Sequence, residues 1–236
     1  MKIISVESYR KLSRLGANLI AAQVTVKPRS VLGLATGSSP VGIYRELIAR
    51  YQAGELDFSE TTTVNLDEYI GLAPDHPQSY RRFMQENLFD HINIDPAKTF
   101  VPNGLATDLD AECAAYDRRI VDLGGIDLQL LGIGVDGHIG FNEPADVFEK
   151  PTRAADLHPS TIAANARFFG RADDVPRRAV SMGMGAIMSA RKILLIANGP
   201  AKKDIVERAF HGPITPRVPA SILQLHPDVT VIFSEE

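Results

Sequence analysis

Apolar positions along the chain alternate between two rhythms, one strand-like and one helical. Lys2 to Val6 reads as a short strand, and Tyr9, Leu12, Leu15, Leu19 and Ile20 then recur at helical spacing. Ser30 to Ala35 is a second apolar strand. Gly37 and the serines after it form a turn, and Pro40 suits the first turn of a helix holding Ile43, Leu47 and Ile48. Thr61 to Leu66 is a β-branched strand ending at Asp67. Tyr80 to Phe89 and Ala111 to Val121 are amphipathic and predict helices. Ile126 to Leu131, Ile193 to Ala197 and Val229 to Phe233 are apolar strands, the last two separated by a helix from Lys202 to Phe210.

Near-continuous apolar strands alternating with helices predict an α/β fold with a mostly parallel, twisted sheet covered on both faces. No linker or repeat interrupts the pattern, so residues 1–236 are expected to form a single domain. The least regular stretch, Phe148 to Pro176, is rich in Pro, Arg and Asp and is expected to supply a mobile flap within 148–176. Ligands of such sheets sit beyond the carboxyl ends of the strands. Three polar clusters follow strands here: Thr36-Gly37-Ser38-Ser39, Asp67-Glu68-Tyr69, and Gly134 to Glu143. One sheet would present all three at the same rim.

Composition narrows the class. Apolar residues are 44%, and 25 Lys+Arg against 29 Asp+Glu leave a charge of −4, which fits a globular chain and not a disordered one. That balance gives no charge-driven attraction to nucleic acid or membrane, and neither partner is expected. No apolar stretch approaches the roughly 18 residues of a membrane span, and the N-terminus lacks the pattern of a signal peptide. The single Cys113 cannot form an internal bridge, which fits a reducing, cytoplasmic setting.

The clusters differ in what they can do. In Thr36-Gly37-Ser38-Ser39-Pro40, a glycine turn meets a helix N-terminus whose free N–H groups and dipole make an anion pocket. The competing reading is a helix cap with nothing bound. Gly132-Ile133-Gly134-Val135-Asp136-Gly137 matches G-x-G-x-x-G, but Pro144 and Pro151 break any long helix after it, so a dinucleotide site is not expected. The segment instead presents Asp136, His138 and Glu143 on a loop. A histidine between carboxylates can move protons near neutral pH. The same set could hold a metal, or have no role. No H-E-x-x-H or cysteine pair supports the metal. Asp67 ends a strand at the ligand rim and is a candidate general base. An ordinary aspartate has a pKa of about 3.9 and would stand ionised at neutral pH. Arg167 and Lys202 could add charge to the anion pocket.

Taken in order, these blocks resemble the glucosamine-6-phosphate deaminase family. The stretches that carry the resemblance are Leu34 to Pro40, Asn65-Leu66-Asp67-Glu68-Tyr69, Gly132 through Pro144, Ala166-Arg167-Phe168-Phe169, and Ser221 to Pro227. They span essentially the whole chain. The resemblance implies a Rossmann-like fold shared with 6-phosphogluconolactonases. It implies conversion of glucosamine 6-phosphate and water to fructose 6-phosphate and ammonia, in amino-sugar catabolism. It further implies that Thr36, Gly37, Ser38, Ser39, Arg167 and Lys202 bind the sugar phosphate. His138, helped by Asp136 and Glu143, would open the pyranose ring, and Asp67 would move the proton between C2 and C1. No metal and no organic cofactor is implied.

Regulated members of that family are hexamers that answer to N-acetylglucosamine 6-phosphate through small hydroxyl side chains just after Asn-Glu-Pro and a basic residue further on. Here those places carry Asp146, Val147 and Ala155, with Arg153 kept, and the chain stops at Glu236 soon after its last strand. The expectation is an unregulated enzyme acting as a monomer on a small-molecule substrate, with a homo-oligomer left open. Two rivals remain: a 6-phosphogluconolactonase, which needs no base at C2, and the sugar-phosphate-sensing module of a transcriptional regulator, which would need a helix-turn-helix.

Overall fold

The computed structural model describes residues 1–171 and 173–236. The chain opens with β1 (Lys2–Val6), α1 (Tyr9–Val26), β2 (Val31–Leu34), α2 (Val41–Gln52) and β3 (Thr62–Asn65). Ser8 caps α1, its hydroxyl accepting the Lys11 N–H at 3.2 Å, and the Leu12, Ile20 and Val24 stripe is buried against the sheet. After β3 come β4 (Asp67–Tyr69), α3 (Tyr80–Asn87), β5 (Thr99–Phe100), α4 (Leu109–Asp122) and β6 (Leu128–Leu131). Then follow β7 (Arg153–Asp156), α5 (Pro159–Phe169), β8 (Arg178–Ser181), α6 (Met184–Met188), β9 (Ile193–Asn198), α7 (Lys203–His211) and β10 (Val229–Ser234).

Seven strands form one sheet in the order β1-β10-β9-β6-β2-β3-β5, every described pairing parallel. The expected parallel α/β architecture is what the chain adopts. From β2 the order runs through β3 to β5 on one side, and the chain then returns to β6 on the other side. The reversal falls between β2 and β6, where the loops after the two strands diverge and leave a crevice. The G-x-G-x-x-G stretch after β6 continues as a loop, with a short Ile139–Asn142 bridge instead of a helix.

A second sheet, β4-β8-β7, is antiparallel throughout. The sequence pattern did not reveal it, because its strands are three or four residues long and mostly not apolar-alternating. Leu66 is the crossing point: its N–H donates to Leu34 in the large sheet at 3.2 Å, and its carbonyl accepts the Met182 N–H at 2.7 Å beside the small one. Asp67 is therefore the first residue of the small sheet, held at the rim of the large one. A satellite core of Tyr69, Phe141, Leu157 and Ala179 lies under the small sheet.

The expectation of an irregular stretch from Phe148 to Pro176 is corrected. It contains β7 and the eleven-residue α5. Pro159 stands in the first helical turn, where its missing N–H costs nothing, and Gly170 ends the helix at φ +79°. Pro159, which read as loop-forming, is helix punctuation.

Candidate active site

Parallel pairing aligns the carboxyl ends of β6, β2 and β3 side by side, so the three polar clusters do meet at one rim. They enclose a cleft of about 230 Å³ whose walls include Thr36, Gly37, Ser38, Ser39, Asp67, Asp136, His138, Arg167 and Lys202. Glu143 stands behind His138 rather than on the wall.

The β2–α2 loop is shaped for an anion. Gly37 has φ +92°, a left-handed conformation open to glycine at little cost. Pro40 occupies the cap position of α2, and no side chain caps the helix. A hydroxyl cap was the competing reading of this motif, and the structure does not form one. The Ser38 and Ser39 carbonyls instead accept the Tyr9 hydroxyl at 3.1 and 3.0 Å, and that oxygen accepts the Gly42 N–H at 2.8 Å. α1 thus props the loop from below and leaves its upper side to the cleft. Two cations face it. Lys202, the last residue of the turn before α7, donates Nζ to the Ile133 carbonyl at 2.6 Å, and burial lowers its pKa, with Asp136 pulling upward and Arg167 downward. The Arg167 guanidinium lies 4.7 Å from the centre of the Phe168 ring at the far end of α5.

On the β6 side, His138 Nδ1 is 2.7 Å from Asp136 Oδ1 and 3.3 Å from Glu143 Oε2. Neither contact is aligned well enough to satisfy that nitrogen as a conventional hydrogen bond, so the ring is held by the field of both carboxylates. Burial alone would push the His138 pKa down, but the close contacts with the Asp136 and Glu143 carboxylates and their charge outweigh it and lift it to about 9. Burial likewise works against the Asp136 carboxylate, and its contacts with His138 more than offset it, holding the carboxyl well below the usual range. These three side chains bring one ligand atom each within 4.8 Å of one another, a donor set a divalent ion could also use.

Asp67 is 5% exposed. Burial, reinforced by the Glu68 charge and opposed by His138, pushes its pKa up to about 8. The expectation of an ordinary, ionised aspartate is thereby corrected: removal from water makes Asp67 a proton acceptor of much greater basicity. Its neighbour Glu68 is not a second base. Its carboxylate accepts the N–H groups of Tyr69, Tyr80 and Arg81 at 2.8–2.9 Å and so fixes the start of α3.

Sequence reasoning missed several wall residues. Tyr80, Phe141, Thr161 and Asn165 line the cleft. Tyr80 was counted as one more amphipathic helix position, and the α5 residues fell in the stretch read as irregular. The signal available was the Ser79 cap, which accepts the Arg82 N–H at 3.0 Å and fixes where α3 begins.

The profile of the family described as glucosamine-6-phosphate isomerases/6-phosphogluconolactonase matches residues 6–232. The chain belongs to this glucosamine-6-phosphate isomerase/6-phosphogluconolactonase family. Within the family, it is 63% identical over 232 residues to a glucosamine-6-phosphate deaminase of Lachnoclostridium phytofermentans, covering 98% of each chain. It is 55% identical over 236 residues to one of Clostridium perfringens, covering 100% of this chain and 98% of that one. A solved structure of a monomeric glucosamine-6-phosphate deaminase superimposes with a TM-score of 0.97 at 46% identity, covering 99% of this chain and 97% of the other. The 6-phosphogluconolactonase of Trypanosoma brucei shares the fold, with a TM-score of 0.81 at 19% identity over 99% of this chain and 95% of that one.

Proposed function

We propose that the cleft converts glucosamine 6-phosphate and water to fructose 6-phosphate and ammonia, an aldose–ketose isomerisation coupled to deamination that serves amino-sugar catabolism. The observation that carries this reading is the presence, in one cleft, of an anion loop and two chemically separate proton-transfer groups, His138 and Asp67. A lactonase needs no base at a sugar carbon; a deaminase does.

The phosphate is received by the Gly37 loop, the hydroxyls of Thr36, Ser38 and Ser39, and the cations of Lys202 and Arg167. His138, an imidazolium at neutral pH, gives a proton to the ring oxygen and takes the anomeric hydroxyl proton in its place, so that the ring opens and C1 becomes an aldehyde. Asp136 and Glu143 stabilise the imidazolium that begins and ends this exchange. The open aldehyde acidifies the C2–H, and Asp67 removes that proton while the His138 imidazolium protonates the C1 oxygen, giving an enolamine; the imidazole recovers its proton from the water that later adds at C2. Asp67 then returns its proton to C1, leaving an imine at C2. Water adds to the imine carbon, and collapse of the adduct breaks the C–N bond and releases ammonia. A base with pKa about 8 is better matched to a weak carbon acid than one near 4. α5, inside 148–176, serves as the lid that keeps water from the intermediates. The chain acts as a monomer in the cytoplasm, where a buried, unpaired Cys113 is at home. The 46%-identical neighbour, itself monomeric, supports the first point.

The test is release of ammonia and fructose 6-phosphate from glucosamine 6-phosphate with EDTA present. Equal amounts of both, unaffected by EDTA, are expected. Hydrolysis of 6-phosphogluconolactone without ammonia release would overturn the deaminase reading. Activity abolished by EDTA would make Asp136, His138 and Glu143 a metal site.

A further inference from the structure

Among the described residues of α5, Thr161 alone is buried, at 5% exposure. It occupies the third helical position after the His158 cap, in the first turn, where a β-branched residue has no propensity advantage. Its hydroxyl donates to Glu143 Oε1 at 2.6 Å, and the His158 N–H lies 3.4 Å from the same oxygen. The other oxygen of that carboxylate, Oε2, is the one 3.3 Å from His138 Nδ1. One rigid, planar group is therefore divided between two partners, the helix start and the imidazole. Rotation that breaks one contact breaks the other.

We propose that Thr161 is a positioning residue that holds the Glu143 carboxylate against the His138 ring, so that seating α5 over the cleft and completing the Asp136–His138–Glu143 set are a single event. Further along α5, Asn165 donates to the Tyr69 hydroxyl at 2.9 Å, anchoring the helix to the small sheet on the side of Asp67. With α5 away, Glu143 loses its donor and nothing fixes its plane. The imidazole then keeps Asp136 but loses the second carboxylate. The charged groups around His138 are Asp136 and Glu143 on its own loop and Asp67 from the strand end; Lys202, with Arg167 of α5 beside it, faces Asp136.

The ring-opening consequence rests on the function proposed above; the effect on the imidazole does not. The test uses the unliganded full chain, its histidine rings labelled with ¹⁵N and titrated by NMR, with His138→Gln assigning the signal. In Thr161→Val the His138 midpoint should fall by about one pH unit, and kcat for ammonia release should fall about tenfold with KM little changed. Thr161→Ser should restore both. Thr161→Ala gives the same readout should the valine variant fail to fold. An unmoved or raised midpoint, or a serine variant that behaves like valine, overturns the proposal. A fallen midpoint in a protein that releases no ammonia would uphold the positioning role and overturn the deaminase reading instead.

Discussion

Asp67 stands at the carboxyl rim of the large sheet and Asp127 at its amino base, and they are buried alike, 5% and 3% exposed. At the base, the Asp127 carboxylate receives Lys27 Nζ on both oxygens at 2.8 Å, Arg191 at 3.1 Å and the Val31 N–H at 2.8 Å. At the rim, among the described residues, no cation or N–H group reaches the Asp67 carboxylate within hydrogen-bonding distance. Equal burial thus gives opposite chemistry. A carboxylate with all its acceptor sites filled ties α1, β2 and β9 together, whereas one left bare is pushed up to about 8 and becomes a base. The fold bears the cost of the second at the site where the proposed reaction would use it.

The sharpest way to break this comparison is Asp67→Asn. Turnover should fall about 10²–10⁴-fold with phosphate binding nearly intact; near-normal turnover would remove Asp67 from its role. The same change should stabilise the protein. The folded-state pKa is raised above the ordinary 3.8, so between those values the unfolded chain releases a proton that the folded chain keeps. Stability is then lost as pH rises through that window. The amide has no proton to lose, so its advantage over the native chain should grow from pH 4 to pH 8. It should reach on the order of 5 °C in Tm at neutral pH. A variant less stable than the parent at pH 7 would show that Asp67 is satisfied after all.

Lys202 and Lys27 extend the contrast to cations. Lys27 is committed to Asp127, while Lys202, among the described residues, donates only to the Ile133 carbonyl and keeps donors for a ligand. Lys202→Ala should raise KM about 10–100-fold with a smaller change in kcat, and an unchanged KM would mean that this lysine does not meet the phosphate. Asp127→Asn should do the reverse. Lys27 and Arg191 are both about half in solvent, which softens the loss of their partner, so a cost of about 1–3 kcal/mol and an unaltered kcat/KM below the melting range are expected. A fallen kcat/KM in a folded Asp127→Asn protein would erase the division between base and rim.

The comparison also marks what a sequence can reveal. β2, β6, β9 and β10 were legible because a parallel strand buried on both faces is mostly apolar, and β3 because it is β-branched. The three rim clusters were legible because each follows such a strand. Nothing local distinguishes Asp67 from Asp127, however, since each adjoins apolar strand residues. What separates them is the arrival of Lys27 and Arg191 from 100 and 64 residues away. The structural role of Glu68 was hidden for a related reason: its partners are the backbone N–H groups of Tyr69 and of the start of α3, which a sequence cannot place. The small sheet and α5 were hidden because their contacts are polar and aromatic, as where Tyr69 meets Tyr80, Phe141 and Phe169 with ring centres 4.8–5.8 Å apart. Such packing leaves no two- or 3.6-residue rhythm.

The smallest effect is expected where the chain again satisfies its own charges, in the loop after Glu143. Asp146 pairs with Arg217, and the Arg153 guanidinium donates to the Asn142 side-chain carbonyl at 2.9 Å. Asn142 in turn donates to the Ile139 and Met182 carbonyls at 2.9 Å, so Arg153 is built into the support of the loop that carries His138. An effector phosphate arriving here would meet the Asp146 carboxylate, would have to strip Arg217 from it, and would find an apolar Val147 where a hydroxyl could have helped. N-acetylglucosamine 6-phosphate should therefore leave a hyperbolic rate curve and its half-saturation point unchanged. Asp146→Ala should not create a response by itself, because it removes a repulsion and supplies no donor. A sigmoidal curve that the acetylated sugar straightens would show that Arg153 can leave Asn142, and that this region belongs with the rim rather than with the base.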